Sequence, residues 1–162
     1  MIRPATTIDA FDIVSIYNHY IQETTVTFET ESLPVQAMQE RISAISSEGI
    51  FLVYESVDGI IGYSYAHPWK ERKAFCHTWE TSVYVSHKHQ GAGIGRKLME
   101  ELISQCKRTG CHSLIACITA NNKVSCKLHL QLGFQKVSHF IEVGYKFNQW
   151  LDTVDYELVL SK

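Results

Sequence analysis

One carboxylate, Glu80, sits inside an otherwise aromatic and β-branched run, FCHTWETSVYVS. A carboxyl group held among apolar side chains is poorly solvated as the anion. Its pKa therefore rises toward the range in which it can take a proton from a reacting group. Shortly after it, HKHQGAGIGRKLMEE (residues 87–101) carries Gly91, Gly93 and Gly95 ahead of an amphipathic stretch. Glycines in such a turn expose backbone N–H groups, and the positive end of the following helix faces an approaching anion. ITANNKVSCKLHLQLGF (118–134) then places Asn122, Ser125 and His129 in one strand–turn–helix segment. Together these residue types imply proton transfer beside a bound phosphate-bearing molecule. Plainer readings stand next to this one: a salt-bridged sheet glutamate, a glycine-rich turn, and a helix cap from Asn121 or Asn122.

The elements that must position these residues can be read from periodicity. Met1–Pro4 reads as a short strand, and IDAFDIVSIYNHYIQ as a helix with Ile8, Phe11, Val14, Ile16, Tyr17, Tyr20 and Ile21 on its apolar side, capped by Thr7 or Asp9. TTVTFETES reads as an irregular loop, followed by a helix starting near Pro34. IFLVYES and IIGYSYAH flank VDG, whose Asp58-Gly59 pair signals a hairpin. PWKERKA is a polar connection to the strand that carries Glu80. In that strand Thr78, Glu80, Ser82 and Tyr84 share one face, and Trp79, Thr81, Val83 and Val85 the other. A helix over about Gly93–Arg108, the strand HSLIACIT, the helix NKVSCKLHLQL ending at Gly133, and two tail strands complete the order β-α-α-β-β-β-α-β-α-β-β. That order predicts a single domain over 1–162 of mixed α/β class.

Two familiar phosphate loops fail. A P-loop needs Lys-Ser/Thr after its last glycine, but Arg96 and Lys97 follow Gly95. A dinucleotide fingerprint needs a third glycine at 96, which is Arg96, and a later acid on a second strand. Gln90-Gly91-Ala92-Gly93-Ile94-Gly95 fits a third pattern outright, Arg/Gln-x-x-Gly-x-Gly/Ala between a strand and a helix. On this loop, on Asn122-x-x-Ser125 and on Leu132-Gly133-Phe134, the chain resembles the GCN5-related N-acetyltransferase (GNAT) superfamily. HTWETSVYV, KLHLQLGF and VGYKFNQWLDTVDYEL resemble its phosphinothricin and methionine sulfoximine N-acetyltransferase branch over nearly the whole length.

That resemblance implies a twisted, largely antiparallel mixed sheet of about seven strands flanked by about four helices. It implies acetyl-CoA as co-substrate, held by Gln90 to Gly95 with Arg96 at the mouth, by backbone groups of Val83, Tyr84 and Val85, and by Asn122 and Ser125. It implies direct attack by an amine, with Glu80 as base and His129 as the group that protonates the departing thiolate or binds the cofactor. No cysteine is needed as a nucleophile. The implied acceptor is a small amino acid analogue with an ammonium and a carboxylate. Phe28 and Glu29 from the interhelical loop, Arg72 as a bidentate carboxylate clamp, Phe75 and Tyr84 are its candidate contacts. Trp79, where the branch has a smaller residue, is expected to reshape that pocket. A homodimer is implied as well. Peptide N-terminal acetylation and non-catalytic CoA sensing remain alternatives.

Composition excludes other classes. The net charge is −2 with no Lys/Arg-rich run, which argues against nucleic acid. No apolar run approaches a membrane span, and the first residues lack a signal-peptide pattern, so a cytoplasmic protein is expected. Five cysteines with no CxxC spacing predict neither a disulfide scaffold nor a zinc knuckle. His87 and His89 are the only close histidine pair, and no metal is expected.

Overall fold

Alternating β-branched and aromatic residues become strands, and 3.6-periodic segments become helices, in the expected order. In the computed structural model, residues 1–160 are described, so the last two residues of the expected 1–162 domain lie outside the described residues. The elements are β1 (Ile2–Pro4), α1 (Ala10–Glu23), α2 (Val35–Glu48), β2 (Ile50–Ser56), β3 (Gly59–Pro68), β4 (Thr78–Val85), α3 (Ile94–Cys106), β5 (Ser113–Thr119), α4 (Lys123–Gln131), β6 (Gln135–Lys146) and β7 (Gln149–Val159). The strands form one seven-stranded sheet in the order β1-β2-β3-β4-β5-β7-β6. Every neighbouring pair is antiparallel except β4 and β5, which run parallel.

Each face of the sheet buries its own core. On one, the stripe Leu98, Met99, Leu102 and Cys106 of α3 packs on Leu114, Ala116, Val154 and Tyr156, with Phe134 beside them. On the other, Ile13, Tyr17, Tyr20 and Ile21 of α1 and Met38 and Ile42 of α2 pack on Phe51, Val53 and Tyr63. α1 and α2 pack chiefly on β2 and β3.

Ile8 and Phe11, expected on the buried stripe of the first helix, are 88% and 69% exposed. Thr7–Asp9 form a 3-10 turn before the α-helix begins at Ala10. The tighter turn shifts the phase of the side chains that follow. Asp9, one of the two expected caps, stands at the N-cap of α1, but its carboxylate makes no cap bond to that helix: it accepts the Thr6 N–H at 2.8 Å and receives Arg3 at 2.7 Å from β1.

The central irregularity is the β4–β5 junction. The two strands pair only at Thr78–Ser113, Trp79–Leu114 and Glu80–Ile115, although β4 continues to Val85 and β5 to Thr119. Beyond Glu80 they part.

Candidate active site

The parting of β4 and β5 decides which backbone groups are available. Trp69 N–H donates to the Thr78 carbonyl at 3.0 Å, and Ser86 N–H to the Ile61 carbonyl at 2.8 Å. This alternation turns the even-numbered backbone groups of β4 toward β3 and the odd-numbered ones toward the gap. Val83 and Val85 therefore present groups to the gap, whereas Tyr84 spends its own on β3. The Val85 carbonyl is taken by the Tyr20 hydroxyl at 2.6 Å, and Gln90 Nε2 donates back to that hydroxyl at 3.1 Å. What remains open is the Val83 amide and carbonyl and the Val85 amide. The Tyr84 ring, expected at the acceptor, is committed to a cluster with Tyr17, Tyr20 and Tyr63, at centroid distances of 5.2, 5.3 and 5.2 Å.

Glu80 is the last paired residue of β4, at the fork. It is half-buried, and no described residue donates a hydrogen bond to its carboxylate. Burial raises its pKa above the ordinary carboxylate value; His67, directly opposite on β3, pulls it down, and Asp155 of β7 pushes it up. Trp79 does not sit beside this carboxylate. It points to the opposite face and packs on the core under α3, so it does not wall the acceptor side.

The glycine turn lies one strand-length away. Gly91 and Gly93 have φ of +80° and +75°, and a Cβ on either would meet no atom within 4 Å. Both are left-handed positions opening onto free space, and Gly93 leads directly into α3. A turn of this shape leaves the first amides of α3 pointing outward, unsatisfied within the helix. Ile94 buries its side chain in the core, so only its backbone faces the turn. Arg96 bridges the two flanking helices, reaching Gln131 of α4 at 3.1 Å and Glu100 at 3.5 Å.

At the start of α4, Asn122 Oδ1 accepts the Ser125 N–H at 3.2 Å, which makes Asn122 the cap and leaves its amide nitrogen free to donate. Asn121 instead takes the Thr25 hydroxyl at 3.3 Å. A cleft of about 550 Å³ adjoins them, lined by Thr24, Thr25, Val26, Asn122 and Phe147 among others, and no β4 residue lines it. His129 is only 2% exposed. Its Nδ1 donates to the Ser125 carbonyl at 2.8 Å, a tautomer assigned from that partner, and Nε2 is buried without a partner. Burial also lowers its pKa. In this tautomer Nε2 carries no proton, and the Nδ1 bond ties the imidazole to the first turn of α4 through Ser125.

The interhelical loop is strapped from several sides. Lys146, 4% exposed, donates to the Thr27 carbonyl at 2.9 Å, and Thr119 Oγ1 to the Thr25 carbonyl at 2.6 Å. A Cβ on Gly144 would lie 2.9 Å from the Phe28 ring, so the glycine of the GYKF signature makes room for Phe28. Glu29 is held by a bidentate Arg41, 2.9 Å at each nitrogen, and by the Tyr17 hydroxyl. Arg41 first, and then Tyr17, keep its pKa below the ordinary value despite burial. Glu29 thus shapes the loop through an ion pair. Arg72 is exposed and forms no ion pair among the described residues. Phe75 stacks edge-on with Trp69 at 5.6 Å, with Lys70 beside both rings. Their segment joins β3 to β4 at the Glu80 end. Arg41 and Tyr17, which hold the interhelical loop, were not singled out by the sequence, whereas Lys146 carried a signal, inside the VGYKFNQWLDTVDYEL stretch.

Known proteins resemble this chain in sequence and fold. Residues 2–154 match the family described as acetyltransferase (GNAT) domain. The chain is 38% identical over 152 residues to the phosphinothricin N-acetyltransferase of Streptomyces viridochromogenes, covering 93% of this chain and 82% of that protein. It is 33% identical over 162 residues to the L-methionine sulfoximine/L-methionine sulfone acetyltransferase of Salmonella typhimurium, covering 99% and 95%. The solved structure of yncA from Salmonella typhimurium with its cofactor acetyl-CoA superposes with a TM-score of 0.96 at 34% identity, covering 100% of this chain and 94% of that one.

Proposed function

Because the chain belongs to the GNAT acetyltransferase family, it is an acetyl-CoA-dependent N-acetyltransferase, and we propose that its acceptor is a small amino acid analogue of the phosphinothricin, methionine sulfoximine or methionine sulfone type. The similarity to enzymes named for those acceptors runs through the tail strands that strap the acceptor loop. Acetyl-CoA supplies an acetyl group already activated as a thioester. The residues present suit it: the open left-handed Gly91 and Gly93 leave room for a pyrophosphate against the first turn of α3. The Val83 and Val85 backbone and the Asn122 amide are the donors and acceptors for an extended arm along the fork.

Glu80 takes one proton from the acceptor's ammonium, and the freed amine attacks the thioester carbonyl directly. The C–S bond breaks, and the second proton, lost by the new amide nitrogen, goes to the departing CoA thiolate through solvent. The raised pKa of Glu80 brings it closer to the proton it must accept. The cysteines do not serve as nucleophiles. Burial pushes Cys106 up to about 12, so its thiolate is scarce at neutral pH. His129 braces Asn122 and Ser125.

A row of exposed apolar residues on β6 and β7, including Phe140, Ile141, Val143, Tyr145 and Trp150, fits a second copy of the chain, and the working unit is a homodimer. No helix among the described residues is long and apolar enough to cross a membrane. Five free cysteines and an acetyl-CoA requirement suit the cytoplasm.

The observation that carries this reading is the unbonded Glu80 carboxylate at the fork. The test is CoA release from acetyl-CoA against a panel of amino acids that includes phosphinothricin, methionine sulfoximine and methionine sulfone, with peptides as controls. Glu80→Gln should lower kcat by about a hundredfold or more. Full kcat in that variant across the pH range removes Glu80 as base. Turnover with peptides alone reassigns the acceptor, and tight CoA binding without turnover makes the protein a sensor.

A further inference from the structure

We propose that Asp155 is a specificity-determining residue of the acceptor site, docking the acceptor's ammonium on the same open sheet face as Glu80. The inference rests on the reading of that face as the acceptor side. Partners in a ladder point to the same face of the sheet. Glu80 aligns with Ile115, Ile115 with Glu157, and Cys117, two residues further along β5, aligns with Asp155. His67, Glu80, Cys117 and Asp155 therefore share a face. α1 and α2 pack chiefly on β2 and β3 of it, and Cys117 is exposed. The ladder between β4 and β5 ends at Glu80–Ile115. The mouth of the fork thus has Glu80 on one bank, and Cys117 and Asp155 on the other.

The Asp155 carboxylate is held in place. Ser138 Oγ donates to its Oδ2 at 2.8 Å, and Asp155 N–H donates back to Ser138 Oγ at 3.1 Å. No cation among the described residues pairs with it. Glu157, the other acid in this row, accepts the Ser113 hydroxyl at 2.9 Å and is level with Ile115, where β4 and β5 are still paired, whereas Asp155 is level with Cys117 beyond the end of that ladder. A fixed, unpaired anion facing the base attracts the cationic form of an amine to the place where it must lose its proton. It also acts on the base itself. The titratable groups that face Glu80 are Tyr65 and His67 from β3, Cys117 from β5, and Asp155 and Glu157 from β7; after burial, His67 lowers its proton affinity and Asp155 raises it.

Asp155→Asn keeps the size of the side chain and an oxygen for Ser138, and removes the charge. Loss of one charge-assisted contact should raise the acceptor KM roughly tenfold or more. The acetyl-CoA KM should not change, and the acidic limb of the kcat/KM profile should move to lower pH. An unchanged acceptor KM overturns the proposal, and so does an equal rise in both KM values. Should the variant fold poorly, Ser138→Ala frees the carboxylate without touching the core. There a smaller rise in acceptor KM is expected, and no rise overturns the proposal. The Glu80→Gln result is separate: full kcat there would remove the base, while the acceptor KM of Asp155→Asn would still decide the docking role.

Discussion

Gly93→Ala separates a phosphate cradle from an ordinary turn. With φ of +75°, a Cβ at this position costs about 1–2 kcal/mol of backbone strain. For a chain of this size that is a fall of about 2–8 °C in Tm. No steric cost adds to it, because nothing lies within 4 Å of the new Cβ. If Gly93 only allows the chain to turn, acetyl-CoA kinetics should survive this modest loss. If the space in front of Gly93 is where a pyrophosphate meets the first amides of α3, the methyl group occupies the approach. Each charge-assisted bond displaced is worth about 1.5–3 kcal/mol, so the acetyl-CoA KM should rise about ten- to a hundredfold. The acceptor KM should be unaffected. The assay is initial-rate kinetics with each substrate varied in turn, beside a thermal melt of the same preparation. The expected fall in Tm with an unchanged acetyl-CoA KM would refute the cradle.

Two more predictions concern the braces of the site. His129 is buried and its pKa is lowered in the fold, so the unfolded chain binds its proton first as pH falls. Its contribution is complete above the unfolded value of about 6.5 and is lost as pH drops from there through the folded value, by at most about 1.4 kcal/mol per pH unit. Urea midpoints between pH 7.5 and 5 should show that slope, and His129→Gln should flatten it; an identical slope would show that other groups set the acid sensitivity. Gly144→Ala drives a methyl group to 2.9 Å from the Phe28 ring, which should cost about 1–3 kcal/mol and raise the acceptor KM. The double variant with Phe28→Leu should recover most of the stability, and a Gly144→Ala protein as stable as the parent would refute the contact.

The sequence was most legible where chemistry is local. The Asp58-Gly59 hairpin, the α3 stripe from Ile94 to Cys106 and the glycine turn follow from neighbours a few residues apart, and they stand where periodicity places them. The facing of β4 was legible too, since alternation alone puts Glu80 and Tyr84 together and Trp79 opposite. Long-range partners were not. Arg41 meets Glu29 because two elements happen to be adjacent in space, and Lys146 reaches Thr27 across most of the chain. Arg72 was chosen for its chemistry, but it is exposed and outside every described ion pair. Asp155 faces Glu80 only through the registers of two ladders. Ile8 and Phe11 were misplaced because periodicity does not register a single tight turn ahead of a helix.

The fork between β4 and β5 also bears on the protein before any cofactor arrives. Sheets ordinarily keep unpaired strand edges at their margins and blunt them with charges, bulges or brevity. Here an unpaired edge runs through the middle of the sheet, from Thr81 to Val85, on a strand that ends in Val-Tyr-Val. An extended chain of any origin, including a strand from a misfolded neighbour, would find the same hydrogen-bonding groups there. The edge is only about five residues long, one carbonyl on it is already capped by Tyr20, and two folded strands flank it. These features narrow its choice of partners to a single slim, extended one. A site open enough to admit its cofactor is, by the same geometry, the place where an empty enzyme is most exposed to the wrong strand.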